Sequence, residues 1–393
     1  MTDIAFVKPQ IIVISSVAPE LTSAGQVILH RHLSNLTDWE VSVISNPYQF
    51  TNSVKDRWQT RLIRRLEYTR FHRLSYDLQV LDQGKSWLNI VNDAQKLYTK
   101  DIQNSIVLTV AHGDGCWAAQ SFAQKYKLPL VSIFHDWWPD IPNIHRPLKS
   151  LLLQRFRQLY LKSDLTLCVS EGMQEALGEH NNSSVLYPIP EHLNNVAPFT
   201  ASQKTNPVEF LKVIYFGNLY DYADDLGNLL NLTKSNSKVR VEVRGSNPNW
   251  TTEFKQEMRD RNLWLDFAPR KDLNNWSISA DAFLVVMSFD PNLQKRMETS
   301  FPSKLPEYAQ FGKPIVIWGP EYCSAIKWGK TGDRAVCITD KDPKTLVTAL
   351  ENLQQQPNLL KHYSQEAKFA SQNEFNPVII QNQFLESMQN ILQ

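Results

Sequence analysis

The chain has 393 residues, of which 42% are hydrophobic and 21% charged, with 41 Lys and Arg set against 40 Asp and Glu. That length exceeds what one compact core holds, so two domains are expected, and the composition excludes a disordered chain. A formal net charge of +1 gives no global reason to expect a nucleic-acid partner, so any electrostatic role must come from local patches.

The first half alternates strand and helix patterns. Residues 11–15 (IIVIS) form a continuous apolar run, as a strand buried on both faces does. A loop with Gly25 and a helical stretch through Leu33 follow, then strands at 41–44, 106–110, 130–134, 165–169 and 185–187, with a helix at 117–126 among the separators. Such alternation predicts parallel βαβ units and a doubly wound sheet. The proline-rich, aperiodic stretch 188–207 reads as a linker. Beyond it the scheme repeats. Strands are predicted at 213–216, 239–243, 264–267, 282–287 and 314–318, and helices at 225–232, 250–261, 304–311 and 343–354. Ile379, Ile380, Phe384, Met388 and Ile391 stand at helical spacing and predict a last helix over 377–392.

The fold class expected is therefore α/β, with two doubly wound Rossmann-like domains facing a cleft. The boundaries expected are 1–195 for an N-terminal domain and 206–376 for a C-terminal domain. Residues 377–393 form a helix closing back towards the N-terminal domain. Ligands of open α/β sheets bind beyond the carboxyl ends of the strands.

Four cysteines, Cys116, Cys168, Cys323 and Cys337, form no C-x-x-C pair, and Cys168 and Cys337 lie in apolar runs that read as buried. The pattern suits a reducing cytoplasm. The N-terminus lacks the layout of a signal peptide, and no run of about 18 apolar residues suggests a membrane span.

The most informative stretch is 301–316, FPSKLPEYAQFGKPIV. Ser303 is placed to cap a helix, Pro306 falls in its first turn, and Gly312 suits its end. The helix would begin at the mouth of a strand, where N–H groups and the Lys304 cation can hold a diphosphate. Glu307 shares a helix face with Ser303 at i, i+4, and its carboxylate can accept two hydrogen bonds from a ribose diol. In the first half, Gly25 follows the first strand and would let a phosphate approach a helix start. His112 and His135 each follow a strand at its carboxyl end, and Asp136 is placed to orient the His135 ring or to cap the next turn.

With these residues the chain resembles the retaining GT-B glycosyltransferases of family 4. SKLPEYAQFGKPIVIWG is similar to that family's closing signature, VIYFGNL to its opening strand and glycine turn, and VEVRG to its next strand and glycine. LDFAPRKDLNNWSISADA and, in the first half, AHGDGCWAA, His135-Asp136, Ser170-Glu171 and Tyr187-Pro188 extend the likeness over most of the chain. The resemblance implies that Glu307 binds the nucleotide ribose. It places Ser303, Lys304, Gly217, Gly25 and Arg244 near the donor, His135 against the donor sugar, and His112 and Asp136 on the acceptor side. His135 and Lys304 would be the catalytic residues. It also implies transfer of a hexose from a nucleotide diphosphate sugar with retention, and no metal or other cofactor. Two departures stand out. The family's first Glu, eight positions before the second, is Thr299 here. The Arg and Lys usual after the glycine turn are replaced by Asn218, Asp221, Asp224 and Asp225. Lys304, Arg244 or Lys295 would then supply the cations. A nucleotide-sugar epimerase of the same fold and a non-catalytic partner subunit are the alternatives.

Residues 55–73, KDRWQTRLIRRLEYTRFHR, set Lys55, Arg57, Arg61, Arg64, Arg65, Arg70 and Arg73 against Asp56 and Glu67, with Trp58, Leu62, Ile63, Leu66 and Phe71 interleaved. The stretch reads as a solvated amphipathic helix or as a contact with the anionic inner face of the membrane, with nucleic-acid binding a third option that no recognition fold accompanies. The second reading fits polysaccharide biosynthesis on a lipid-linked or cell-surface glycan acceptor.

Overall fold

The structure, a computed structural model, describes residues 8–45, 65–66, 69–85, 87, 91, 102, 104–191, 210–246 and 248–392. It divides into two compact units: Met1–Ile189 with Ile380–Gln393, and Pro190–Ile379.

The first unit holds β1 (Gln10–Ile14), β2 (Glu40–Ile44), β3 (Ser105–Val110), β4 (Leu130–Phe134), β5 (Leu165–Cys168) and β6 (Ser183–Val185). Every pairing is parallel, in the order β2-β1-β3-β4-β5-β6. The continuous apolar runs have a direct physical cause, because each central strand feeds two cores. Ile12 and Ile14 pack with Val107, Phe134 and Phe156 on one face, and Ile11 and Val13 pack with Ile28, Leu29 and Leu108 on the other. Removing each such side chain from water is worth about 1.5–3 kcal/mol, so polar substitution on either face is costly.

The helix Pro377–Leu392 completes the second of these cores. Ile380, Phe384 and Met388, spaced by four residues, share the cluster with Ile11 and Leu29. The seam also carries polar pairing. His32 Nδ1 lies 2.9 Å from Gln381 Oε1, Gln381 Nε2 donates to the His32 carbonyl at 3.1 Å, and the His32 ring stacks on Phe384 at 4.5 Å.

The second unit holds β7 (Leu211–Gly217), β8 (Val239–Gly245), β9 (Trp264–Leu265), β10 (Ala282–Val286), β11 (Ile315–Trp318) and β12 (Val336–Ile338), in the order β12-β11-β10-β7-β8-β9. All these pairings are again parallel. In both sheets the strand order reverses beside the first strand, between β1 and β3 and between β7 and β10. Such a switch point opens a crevice at the carboxyl ends.

Several sequence expectations need correction. The strand predicted at 185–187 lies at Ser183–Val185, because the edge pairing aligns Thr166 with Ser183 and Cys168 with Val185. β12 was not predicted. It is a three-residue edge strand, too short for a periodicity signal, and that edge position leaves Cys337 half-buried, whereas Cys168 is fully enclosed. The helices Arg146–Lys162 and Pro357–Gln372 were also missed, since their many polar residues mask narrow apolar stripes. Of the basic stretch 55–73, only Arg65, Leu66 and residues 69–73 belong to the described residues. Arg73 there is a structural group, donating from Nη2 to the Ile144 carbonyl at 3.0 Å. The linker 188–207 likewise lies outside the described residues beyond 191.

Candidate active site

In the second unit the site grows from the carboxyl end of β7. Gly217 closes that strand with φ of 133°, a conformation that favours glycine. A Cβ there would collide with Lys304 Cε and lie 2.7 Å from its ammonium. Gly245, the register partner of Gly217 on β8, has its own Cβ position filled by the Gly217 carbonyl oxygen. Two glycines thus let Lys304 and the turn after β7 approach backbone to side chain.

The short helix Lys304–Ala309 is fixed to β7 by Tyr308. Its hydroxyl accepts from the Phe216 N–H at 3.0 Å and donates to the Phe216 carbonyl at 3.3 Å, while the ring stacks on Phe283 at 4.5 Å. This anchorage presents Lys304 to the glycine turn. Its Nζ donates to the Tyr215 hydroxyl at 3.1 Å and lies 4.8 Å from the Tyr215 ring centroid and 6.0 Å from that of Tyr222. Enclosure brings the Lys304 ammonium down to about 8, with the nearby Asp221 carboxylate acting the other way. Asp221 in turn pairs with Arg296 Nη1 at 3.3 Å.

Ser303 holds the N-cap position, but its backbone is helical and its hydroxyl makes no capping bond. The expected cap is corrected accordingly. The helix has six residues, so the Lys304 cation outweighs its small dipole. Glu307 is buried, at 9% exposure, and its Oε1 accepts from the Glu191 N–H at 3.4 Å. Gln310 Nε2 donates to the Glu191 carbonyl at 2.7 Å, so the same helix grips residue 191 twice. Arg244 turns to the Asp266 carbonyl, 3.1 Å from Nη1, and lies 5.1 Å over the Trp276 ring. Lys295 pairs with Glu298 at 3.3 Å. The structure thus brings Lys304 and Gly217 together, with Glu307 one helical turn away, and engages Arg244 and Lys295 elsewhere.

Sequence reasoning missed Tyr215, Tyr308 and Arg296. Tyr215 and Tyr308 read as ordinary apolar positions of a strand and a helix. Arg296 had no local signal, because its partner lies 75 positions away.

The first unit carries a second constellation at its switch point. A pocket of about 270 Å³ is lined by Ser16, Ser23, Gly25, His112, His135 and Asp136 among others. Gly25 sits in the first turn of the helix Ala24–Ser34, and a Cβ there would lie 3.6 Å from His135 Nδ1. That nitrogen is buried without a hydrogen-bond partner. Burial lowers His135 to about 4, partly offset by the Asp136 carboxylate, and burial lowers His112 as well. Both rings are therefore neutral at physiological pH, and a neutral imidazole can donate to one hydroxyl and accept from another. The four residues singled out in the first half, Gly25, His112, His135 and Asp136, all line this pocket.

Comparison with known proteins gives the fold a place. Residues 27–189 match the family described as Glycosyltransferase Family 4. No curated protein sequence matches the chain. Among solved structures, HepE of Anabaena in complex with UDP is 15% identical, covering 97% of this chain and 100% of its own, with a TM-score of 0.66. Sucrose-phosphate synthase from Thermosynechococcus elongatus is 11% identical, with coverages of 98% and 99% and a TM-score of 0.66. The α,α-trehalose 6-phosphate synthase of Burkholderia multivorans is 12% identical, with coverages of 98% and 97% and a TM-score of 0.60. The likeness runs the length of the chain in each case and is a likeness of fold.

Proposed function

We propose that this GT-B glycosyltransferase moves a hexose from a nucleoside diphosphate sugar to an acceptor hydroxyl with retention of anomeric configuration. The observation that carries the reading is the placement of Lys304 in the glycine turn after β7, with the buried Glu307 carboxylate on the same helix. A cation at the end of a strand can hold a diphosphate, and a carboxylate within reach of it can accept both hydrogen bonds of a ribose diol. HepE of Anabaena was solved with UDP, with UDP and glucose, and with UDP-glucose, which makes UDP-sugars the donors to test first.

In this reading the bond between the sugar C1 and the diphosphate oxygen breaks, and the diphosphate leaves with the electron pair. The acceptor oxygen forms its bond to C1 on the same face, and its proton passes to the departing diphosphate. Lys304 stabilises the charge that builds on the diphosphate. His135 holds the donor sugar through neutral hydrogen bonds, Gly25 leaves room at the helix start, and His112 and Asp136 serve the acceptor. Catalysis needs no divalent ion, since the cation is supplied by the protein. The charge pattern of residues 55–73 supports reversible contact with an anionic membrane surface and a lipid-linked acceptor.

One observation favours a second reading, a non-catalytic GT-B subunit. Thr299, where the family has a carboxylate, is buried with its hydroxyl donating to the Lys295 carbonyl at 2.8 Å. The two readings separate in one experiment. The protein is incubated with a panel of nucleotide sugars in the presence of a chelator, and released nucleoside diphosphate and product anomer are measured. Donor hydrolysis or transfer with the α-anomer retained from an α-linked donor supports the proposal. A new epimer from donor alone identifies an epimerase, and binding without turnover identifies the subunit.

A further inference from the structure

We infer that Arg296 is the second cation of the diphosphate site, positioned by Asp221 and acting beside Lys304. The inference rests on the proposed donor site and assigns it a residue that neither the sequence motif nor the glycine turn supplies.

The turn after Gly217 carries Asp221, and the first turn of the helix Ala223–Thr233 that follows it carries Asp224 and Asp225. A bare carboxylate there would repel a phosphate. Asp221 is not bare. Arg296, from the helix Gln294–Thr299 that follows β10, reaches it at 3.3 Å, and Lys304, from the next helix, lies close enough for the two charges to interact. One carboxylate is therefore paired with Arg296 and lies within electrostatic reach of Lys304. Burial holds Asp225 above the ordinary carboxylate range, with Lys341 acting the other way and Asp224 adding to the rise.

The Arg296–Asp221 pair is a partly exposed one. Its side chains remain 32% and 27% exposed, and pairs of that exposure contribute about 0–1 kcal/mol. A guanidinium carries five N–H donors in a planar fork, so it can hold Asp221 and a phosphate together, which a lysine cannot do with the same geometry. Asp221 then acts as a positioning residue. It fixes the fork at the mouth of β7, where the Lys304 ammonium already lies against Gly217.

The test uses the full chain and isothermal titration with UDP and with uridine, on wild type, Arg296→Gln and Arg296→Lys, with melting curves as a check on folding. Arg296→Gln should weaken UDP about tenfold or more, leave uridine within about twofold, and flatten the dependence of UDP affinity on salt. Arg296→Lys should recover part of the loss. A folded Arg296→Gln variant that binds UDP as wild type does, or that loses UDP and uridine equally, overturns the inference and leaves the donor-site reading standing. Wild type that binds neither UDP nor GDP overturns both.

Discussion

The Lys304 ammonium donates to the Tyr215 hydroxyl at 3.1 Å, and that hydroxyl donates onward to the Asn218 carbonyl at 2.6 Å. Lysine, tyrosine and glycine turn therefore form one polar chain at the end of β7. Because enclosure brings Lys304 to about 8, diphosphate affinity should have a pH limb. A bound diphosphate favours the ammonium, so UDP affinity should hold below pH 8 and fall above it by up to about tenfold per unit. Lys304→Ala should remove the limb and weaken UDP far more than uridine. Titrations from pH 6.5 to 9.5 check this, and equal losses for both ligands would place Lys304 away from the phosphates.

Glu307→Ala should raise the donor Michaelis constant through the loss of ribose hydrogen bonds to a carboxylate, roughly 2–4 kcal/mol of binding. The carboxylate also holds the Glu191 N–H, so some loss of melting temperature is expected alongside. Steady-state kinetics on the folded variant decide the matter, and an unchanged constant would contradict the ribose assignment.

Gly217→Ala combines two costs: a backbone with φ of 133° and a methyl group driven into the Lys304 side chain. The backbone cost alone is about 1–3 kcal/mol. In a Lys304→Ala background the steric part should disappear and the backbone part should remain. A double-mutant cycle on chemical denaturation separates them. Strict additivity would mean that lysine and glycine do not meet.

Acid should destabilise the first unit through its enclosed histidines. Burial lowers His32 to about 4, with the bond from Gln381 opposing, and His135 likewise to about 4. Unfolded histidines titrate near 6.5, so between pH 4 and 6.5 the unfolded chain binds more protons. Stability is then fully present above pH 6.5 and declines as pH falls towards 4, by on the order of 3 kcal/mol for each ring. Melting curves from pH 4 to 7.5 should show the decline, with a shallower slope for His32→Asn.

The stretch 55–73 yields a separate expectation. Each Lys or Arg beside an anionic bilayer contributes about 1 kcal/mol, screened by salt. Co-sedimentation with phosphatidylserine vesicles should exceed that with neutral vesicles at low salt. Exchanging Arg61, Arg64 and Arg65 for Gln should abolish the difference.

The sequence by itself determined the layered architecture. Apolar runs such as IIVIS and LVSIF mark strands buried on both faces, the spacing of Ile380, Phe384 and Met388 marks the last helix, and FPSKLPEYAQFGKPIV marks a helix at a strand mouth. These are local patterns, because each strand or helix repeats its own period. Gly25, His112, His135 and Asp136 were legible for the same reason, since each stands next to the end of a strand or the start of a helix. What only the tertiary structure decided is which side chains meet across those ends. Tyr308 grips Phe216 from 92 positions away, Arg296 reaches Asp221 across 75, and His32 meets Gln381 across 349. Such pairs are set by strand order and by the packing of one layer on the next, and no period in the chain encodes them. The same packing decides that Lys304 is enclosed and that His135 is neutral, because the cost of burying a charge depends on neighbours that only the folded chain supplies.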